Sequence, residues 1–543
     1  MTDAPNNAND RLPEADPPPT DPSSAPPQTE PPPAEPPRET PLRVAVIGSG
    51  PAGFYTAGHL LAEPSERFEV DMLERLPTPW GLVRSGVAPD HPKIKSVTRI
   101  YERTAAHPRF RFYGNLNFGE HISREELLSR YHAVVYATGS PSDRPLNIPG
   151  EERAGSHAAT EFVGWYNGHP DHTDLEVDLL SAERAVVIGN GNVALDVARM
   201  LVLAPAELAP TDTADHALEV LAGSRVREVV VVGRRGPAQA AFTNPELREL
   251  DDLADADVIV DAAELEAALA VPDPAAEQDA TSKRNVELLR AYAARPPAGK
   301  AKRIVLRFLL SPIALHPGPD GRLGSVELVR NRLVPAEAGT TAGSAAADAP
   351  PAGVRAEATD EHETIDAGLL FRAIGYRGIP LEGVPFDKRS ATIPHNRGRV
   401  LDPATGEPTP GEYVVGWIKR GPSGVIGTNK KDAQETVDSI FADLPAPSAP
   451  ARGGGGDGET SSSCAATSAG LSERGPGSHT PENPDPEAVE TLLRGRQPEL
   501  VSYAGWESID RHERALGETA GRPRVKLTTI DDLLRAAASE RPS

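Results

Sequence analysis

LRVAVIGSGPAG, residues 42–53, is a β-branched run that ends in glycines and leads directly into the helical stretch FYTAGHLLAE. A short, nearly continuous Val/Ile run suits a parallel strand buried on both faces. Gly48 permits a tight turn, Gly50 lets backbone approach a pyrophosphate, and Gly53 allows helix and strand to pack closely. The free N–H groups of the helix start would hold the pyrophosphate. The next apolar run, FEVDMLE, ends in Glu74, 26 residues after Gly48. That is near the spacing at which an acid accepts hydrogen bonds from ribose hydroxyls. Strand, glycine loop, helix and acid together predict a dinucleotide site.

The pattern recurs. RAVVI at 184–188 runs into Gly189-Asn190-Gly191-Asn192-Val193-Ala194 and then LDVARMLV. Alanine is an allowed third small residue in this fingerprint. The following strand, EVVVV, ends in Gly233-Arg234-Arg235 and carries no acid. Arginines there accept a 2′-phosphate, whereas an acid would favour a free 2′-hydroxyl. The first site therefore reads as FAD-type and the second as specific for NADPH. That pair implies a flavoprotein in which hydride passes from nicotinamide to flavin. HAVVYATGS and EYVVGWIKRG are further glycine-bounded runs, and their alternation with helical stretches predicts a doubly wound α/β fold.

Composition narrows the rest. Acids outnumber Lys and Arg, 79 to 56, giving a formal charge of −23, a poor balance for a protein that grips a nucleic-acid backbone. The single cysteine, Cys464, excludes an internal disulfide framework, a CxxC redox pair and a cysteine-held iron–sulfur cluster. No metal-ligand set is expected. Residues 1–41 hold 14 of the 56 prolines and read as a disordered acidic tail. Residues 445–484, with GGGGDGETSSS, read as a linker, and 336–354 as a loop insertion. The expected domains are an FAD-binding domain in two parts, 42–145 and 373–444, an inserted NADP-binding domain at 146–372, and an appendage at 485–543. The breaks fall near PSDRPLNIPG and FRAIGYRGIP. No apolar run approaches a membrane span, and the acidic N-terminus lacks a signal or transit pattern. A cytoplasmic monomer is the expectation.

Four longer motifs carry a resemblance. LERLPTPWGLVRSGVAPDHPKIK (73–95), GNGNVALDVARML, VVGRRGPAQAAFT and YVVGWIKRGPSGVIGTNKKDA resemble the adrenodoxin reductase family, NADPH–ferredoxin reductases of the glutathione-reductase-like flavoproteins. The resemblance covers about 42–444 and resumes in 486–536. It implies that Glu74 binds the FAD ribose, and that Leu82 and the backbone at Ala52 and Phe118 line the flavin and its adenosine end. Trp417 and Gly424-Val425-Ile426 would meet the flavin ring. Independently, Thr428 is a plausible N-cap for NKKDAQETVDSIF, whose positive end would face the flavin's carbonyl edge. For NADP the resemblance implies Arg144, Asn190, Gly191, Asn192, Val193, Arg234, Arg235 and Glu246. His91 and Glu249 are the implied catalytic pair, near the nicotinamide, where a His–Glu couple can relay a proton.

The implied partner is a small acidic ferredoxin. Arg84–Lys93–Lys95, Lys419–Arg420 and Lys430–Lys431 are candidates for a basic rim that would receive it, or are ordinary solvated or cofactor-contacting cations. Two other readings stay open: an NADPH-dependent flavoprotein monooxygenase and a non-catalytic sensor of the NADPH/NADP ratio.

Overall fold

In the computed structural model, residues 41–336, 353–444 and 476–538 are described. The expected tail, most of the 336–354 insertion and residues 445–475 of the expected linker lie outside them. The described residues from Pro41 onward form one compact unit built around two mainly parallel sheets.

The first sheet runs, in spatial order, through the strands Phe110–Tyr113, Phe68–Leu73, Leu42–Ile47, Ala133–Tyr136 and Pro408–Val414, all parallel. Two short antiparallel strands, Arg399–Leu401 and His395–Asn396, extend its edge. The second sheet is parallel throughout: Ala256–Val260, Lys302–Arg307, Glu228–Val232, Arg184–Ile188, Leu369–Arg372 and Ser156–Ala158. It is inserted, in sequence, between the halves of the first. Both central strands are buried on both faces, as their continuous Val/Ile runs require.

The two chain crossings between the sheets pair with each other. Ser142–Asp143 and Tyr376–Arg377 form an antiparallel ribbon, Arg144 N–H donates to the Gly375 carbonyl at 3.2 Å, and Arg372 holds Glu151 at 3.2 Å. One polar hinge thus replaces two independent linkers.

The layers depart from a plain doubly wound pattern in one respect. Helices Ala159–Tyr166 and Asn192–Val202 cover one face of the second sheet. The other face is covered by an antiparallel three-stranded sheet, Leu310–Pro317, Leu323–Pro335 and Val354–Asp366. Its Leu310, Leu315, Val326 and Leu328 pack on Val186, Ile188, Val230 and Val232.

The C-terminal segment starts earlier than the linker boundary at 484 implies. Gly411 N–H donates to Gly477 O at 2.9 Å, Asn483 N–H to Ser129 O at 2.8 Å, and Arg43 to Pro484 O at 3.2 Å. These bonds tie 477–484 to the first sheet's surroundings. Helix Tyr503–Ala520 then packs Trp506 edge-on against Trp80, with ring centroids 4.8 Å apart. The following strap reaches the inserted unit as well. Lys526 Nζ, fully buried, donates at 3.1 Å to both Arg84 O and Asn167 Oδ1 and lies 3.3 Å from Asp212.

Candidate active site

Both glycine loops leave the central strand of their sheet beside the point where strand order reverses, the usual ligand crevice of such sheets. Their geometry matches position by position. Gly48 has φ +105°, and a Cβ there would lie 2.6 Å from the Ala137 carbonyl oxygen, just past the neighbouring strand. Gly189 has φ +130°, and its Cβ would fall on the Ala373 carbonyl oxygen, at the equivalent place. Gly50 and Gly191 are the opposite: a Cβ at Gly50 meets nothing within 4 Å, and one at Gly191 only Ala241 at 4.0 Å. The third position is closed again, since a Cβ at Gly53 would strike Gly48 O, and Ala194 is fully buried. The first and third small residues therefore serve packing, and the middle one opens a cradle at a helix start.

Three segments converge on the first cradle. Ser49 donates its N–H (3.0 Å) and hydroxyl (2.6 Å) to the Glu74 carboxylate, which also accepts from Leu76 N–H at 3.0 Å. Glu74 thus stands at the loop, with Leu116, just before Phe118, bonded to its carbonyl. Trp80 N–H donates to Ser49 O at 3.0 Å, and a Cβ at Gly81 would lie 3.0 Å from Gly50 Cα. This brings Leu82 alongside. A Cβ at Gly416 would lie 2.7 Å from Ala52 Cβ, so the loop carrying Trp417 and Gly424–Ile426 abuts the same helix start. Leu82 and Val425 are 38% and 55% exposed. Large apolar side chains left open beside a pyrophosphate cradle suit a flavin ring, so the residues present fit FAD. Trp417 lies tilted at 45° against Tyr376, centroids 5.0 Å apart, and its indole N–H donates to Ser423 O. Thr428 is the first helical residue rather than the N-cap. Its hydroxyl turns back to accept from Val425 N–H at 3.2 Å, bracing the loop, and Gly427 takes the cap position.

The second cradle is built around Asn190. Its carbonyl accepts from Ala241 and Phe242 N–H, and its amide packs over Gly233. Asn192 Oδ1 accepts from Thr243 N–H at 2.8 Å, and Val193 packs into the core. Arg234 and Arg235 follow Gly233 directly and line a cavity of about 440 Å³ with Ser311, Asn331 and Arg355. Among the described residues neither guanidinium has an ion-pair or hydrogen-bond partner. Burial, and then the neighbouring Arg234 charge, push Arg235 below its ordinary pKa. Asp273 offsets only part of this, and two adjacent cations with no carboxylate at ion-pair distance among the described residues fit a phosphate dianion. Arg144 is exposed in the hinge crossing, where its N–H donates to Gly375 O at 3.2 Å, two residues beyond the Ala373 carbonyl that abuts Gly189.

His91 and Glu249 meet across the two units, His91 Nε2 lying 2.7 Å from Glu249 Oε2. Glu246 joins them at 4.0 Å. Beneath lies a network that the sequence reading missed. Arg199, 2% exposed, donates to Asp90 at 2.6 and 3.0 Å and to Asp196 at 2.9 Å. It also lies 3.6 Å from Glu246 and 3.8 Å from Glu249. Burial opposes the Arg199 charge, but the Asp196 and Asp90 carboxylates outweigh it. Burial, and then Asp196, push Glu246 up to about 7. Burial also raises Asp196. His91, Glu246 and Glu249 offer atoms within 4.8 Å of one another, close enough for a small cation, yet Arg199 already supplies positive charge there. The available signal was an Asp–Arg pair at i, i+3 inside the apolar helix LDVARMLV.

The expected basic rim is largely absent. Arg84 is buried on Glu513 at 2.5 Å, Lys95 on Asp212 at 2.6 Å, and Lys419 on Asp432 and Glu435 at 2.9 and 2.7 Å. Arg420 holds Asp432 at 3.0 Å. Only Lys93, Lys430 and Lys431 of that set are exposed. No helix among the described residues is long and apolar enough to cross a membrane.

A family model described as pyridine nucleotide-disulphide oxidoreductase matches residues 42–235. NADPH-ferredoxin reductase FprA of Mycobacterium tuberculosis (strain H37Rv) is 49% identical over 91% of this chain and 98% of its own. The mitochondrial NADPH:adrenodoxin oxidoreductase of Arabidopsis thaliana is 40% identical over 92% of this chain and 96% of its own. The structure of Mycobacterium tuberculosis FprA in complex with NADPH superposes with a TM-score of 0.78 at 49% identity, over 92% of this chain and 99% of that one. Similarity at that level along nearly the whole length of each chain, with both glycine loops in register with their sheets, places the chain in the adrenodoxin reductase family of NADPH–ferredoxin reductases.

Proposed function

We propose that the protein is an FAD-dependent NADPH–ferredoxin oxidoreductase. The carrying observation is the pair of matched cradles at Gly50 and Gly191, one followed by Glu74 and the other by two arginines without an ion-pair partner among the described residues. Bound FAD would supply the chemistry that links a two-electron hydride donor to a one-electron carrier. The chain's own residues bind and orient. The 48–53, 80–86 and 416–426 segments would hold the flavin, with Gly50 admitting its pyrophosphate and Glu74 its ribose. Gly191 and the Arg234–Arg235 pair would hold NADPH and select it over NADH. The hinge ribbon and the Lys526 strap fix one unit against the other, which matters because hydride transfer depends steeply on distance and alignment.

His91 Nε2 and Glu249 Oε2, 2.7 Å apart, would pass a proton between the two units. Arg199, through Asp90, orients the loop that carries His91. These residues are positioning and proton-handling groups, since hydride transfer itself needs no protein acid. Replacing His91 with alanine should alter the pH profile of flavin reduction. An unchanged rate and profile would remove the relay.

Neither the monooxygenase nor the sensor reading gains support, since the relatives are reductases by name. We further propose a monomer working in the cytoplasm, where NADPH is maintained. The deciding experiment is simple. The purified protein should be yellow with flavin absorbance and should reduce a ferredoxin with NADPH far better than with NADH. Colourless protein, or a yellow protein without NADPH turnover, would contradict the proposal.

A further inference from the structure

With Arg84, Lys95, Lys419 and Arg420 bound to internal carboxylates, five cations around the flavin-side helices stand apart. Lys93, Arg99, Arg103, Lys430 and Lys431 are exposed, and none has a carboxylate partner among the described residues. Lys93 lies on the short helix Pro92–Lys95, which begins at His91. Arg99 and Arg103 are four residues apart on helix Thr98–Ala105 and share one face. The opposite face, Tyr101 and Ala105, is buried, with Tyr101 stacked on Phe54 of helix Pro51–Leu61 at 4.8 Å. Lys430 and Lys431 occupy the first turn of helix Thr428–Asp443, which packs on the same helix Pro51–Leu61. There His59 Nε2 lies 3.3 Å from Lys430 O.

Among these cations sit two large apolar side chains in the open, Ile94 at 39% and Ile100 at 40% exposure. The nearest acid on that helix, Glu102, already faces Arg514 at 3.9 Å. Apolar side chains inside a rim of unpaired charge are the anatomy of a protein-docking patch. On a chain of net charge −23, such a patch is where an acidic partner meets attraction instead of repulsion, so charge selects the orientation.

We infer that the exposed faces of helices Pro92–Lys95 and Thr98–Ala105, with Lys430 and Lys431 beside them, form the docking surface for a small acidic iron–sulfur protein. This rests on the reading of the chain as a ferredoxin reductase. The patch begins within ten residues of Leu82, on the same run of chain that abuts the FAD cradle. Helix Thr98–Ala105 rests through Tyr101 on helix Pro51–Leu61, which starts at the Gly50 cradle, so a carrier seated there would be close to the flavin segment, while NADPH would enter at the second sheet.

The test uses the full-length flavoprotein and the triple variant Lys93→Glu/Arg99→Glu/Arg103→Glu. NADPH-driven reduction of a purified acidic ferredoxin is followed by bleaching of its visible absorbance. Menadione, a neutral quinone, is the parallel acceptor. The ferredoxin KM should rise about tenfold or more at low ionic strength, and the difference should shrink as salt approaches about 0.5 M. Menadione turnover and flavin content should stay at the wild-type level, and Arg99→Lys/Arg103→Lys should keep the wild-type KM. An unchanged ferredoxin KM with full menadione turnover overturns the docking surface. If wild type reduces menadione but no ferredoxin at any salt, the reductase reading fails instead. Should the triple variant lose flavin, Ile94→Ser/Ile100→Ser replaces it. That variant should raise the ferredoxin KM at all salt concentrations, and an unchanged KM again overturns the surface.

Discussion

Replacing Arg234 and Arg235 with alanine tests the second cradle directly. Among the described residues neither side chain has an ion-pair or hydrogen-bond partner, so the change breaks no ion pair there. Arg235 is half-buried, and its charge is disfavoured by burial and by Arg234. The pair is therefore held in a state that a phosphate dianion relieves. A hydrogen bond to a charged group contributes about 1.5–3 kcal/mol, but Arg234 is solvent-exposed and its share is discounted for screening, to about 1 kcal/mol or less. Together the two should give roughly 2–4 kcal/mol, a loss of about thirtyfold to several hundredfold in kcat/KM for NADPH. NADH, with no phosphate to lose, should be affected little, and the flavin spectrum should be unchanged. Steady-state kinetics with both coenzymes, in wild type and in each single and double variant, measures the ratio. Arg235→Ala should account for most of the loss. The melting temperature of the coenzyme-free protein should hold or rise, because a like-charge contact has been removed. If the NADPH/NADH ratio does not move, these arginines do not read the phosphate. If it moves only in proportion to a loss of stability, their role is structural.

Gly50→Val should abolish flavin retention while the apoprotein melts near wild type, because its Cβ enters open space. Gly48→Val, with φ +105° and a carbonyl at 2.6 Å, should instead destabilise the fold by about 2 kcal/mol or more in denaturant titration. Glu513→Gln leaves the buried Arg84 and Arg524 without their shared carboxylate and should cost about 3–5 kcal/mol, read as a drop in melting temperature. Glu246, pushed up to about 7 from 4.5, keeps its proton in the folded chain over an interval where the unfolded chain has released it. Its contribution to stability is thus full below pH 4.5 and declines by about 3 kcal/mol as pH rises through 7. Glu246→Gln should flatten that part of the stability–pH curve of the ligand-free protein.

The fold was legible where one local pattern dictates one environment. LRVAVIGSG and RAVVIGNGN specify strand, turn and helix within a dozen residues each, and the matched contacts of Gly48 and Gly189 with Ala137 and Ala373 are the three-dimensional form of that repetition. What the sequence hid was non-local. The antiparallel sheet over the second unit is made of strands such as LGSVELVRNRLVP. Its alternating polar residues resemble a surface segment until the facing Val186 and Val230 are known. Likewise PGSHTPENP reads as linker by composition, yet it is fixed by single hydrogen bonds from Gly411 and Asn483, which no periodicity announces.

Charge was the least legible property, for a physical reason. A basic residue in a sequence motif looks the same whether it faces a partner or a buried carboxylate hundreds of residues away. Arg84 and Glu513 are 429 positions apart, and Lys95 and Asp212 are 117 apart. Burial makes the distinction consequential. Among the cations of the flavin motifs, those fully desolvated must be paired, and the few left exposed and unpaired then become the informative ones. The same reasoning applies to Arg199. A guanidinium in an apolar helix signals a matching set of acids, here Asp90, Asp196, Glu246 and Glu249. Because those acids come from separate stretches of chain, the Arg199 cluster joins the loop that carries His91 to the helix that carries Glu249. The His91–Glu249 pair therefore assembles only when the two units are docked, which ties its 2.7 Å contact to the same hinge and strap that hold one unit against the other.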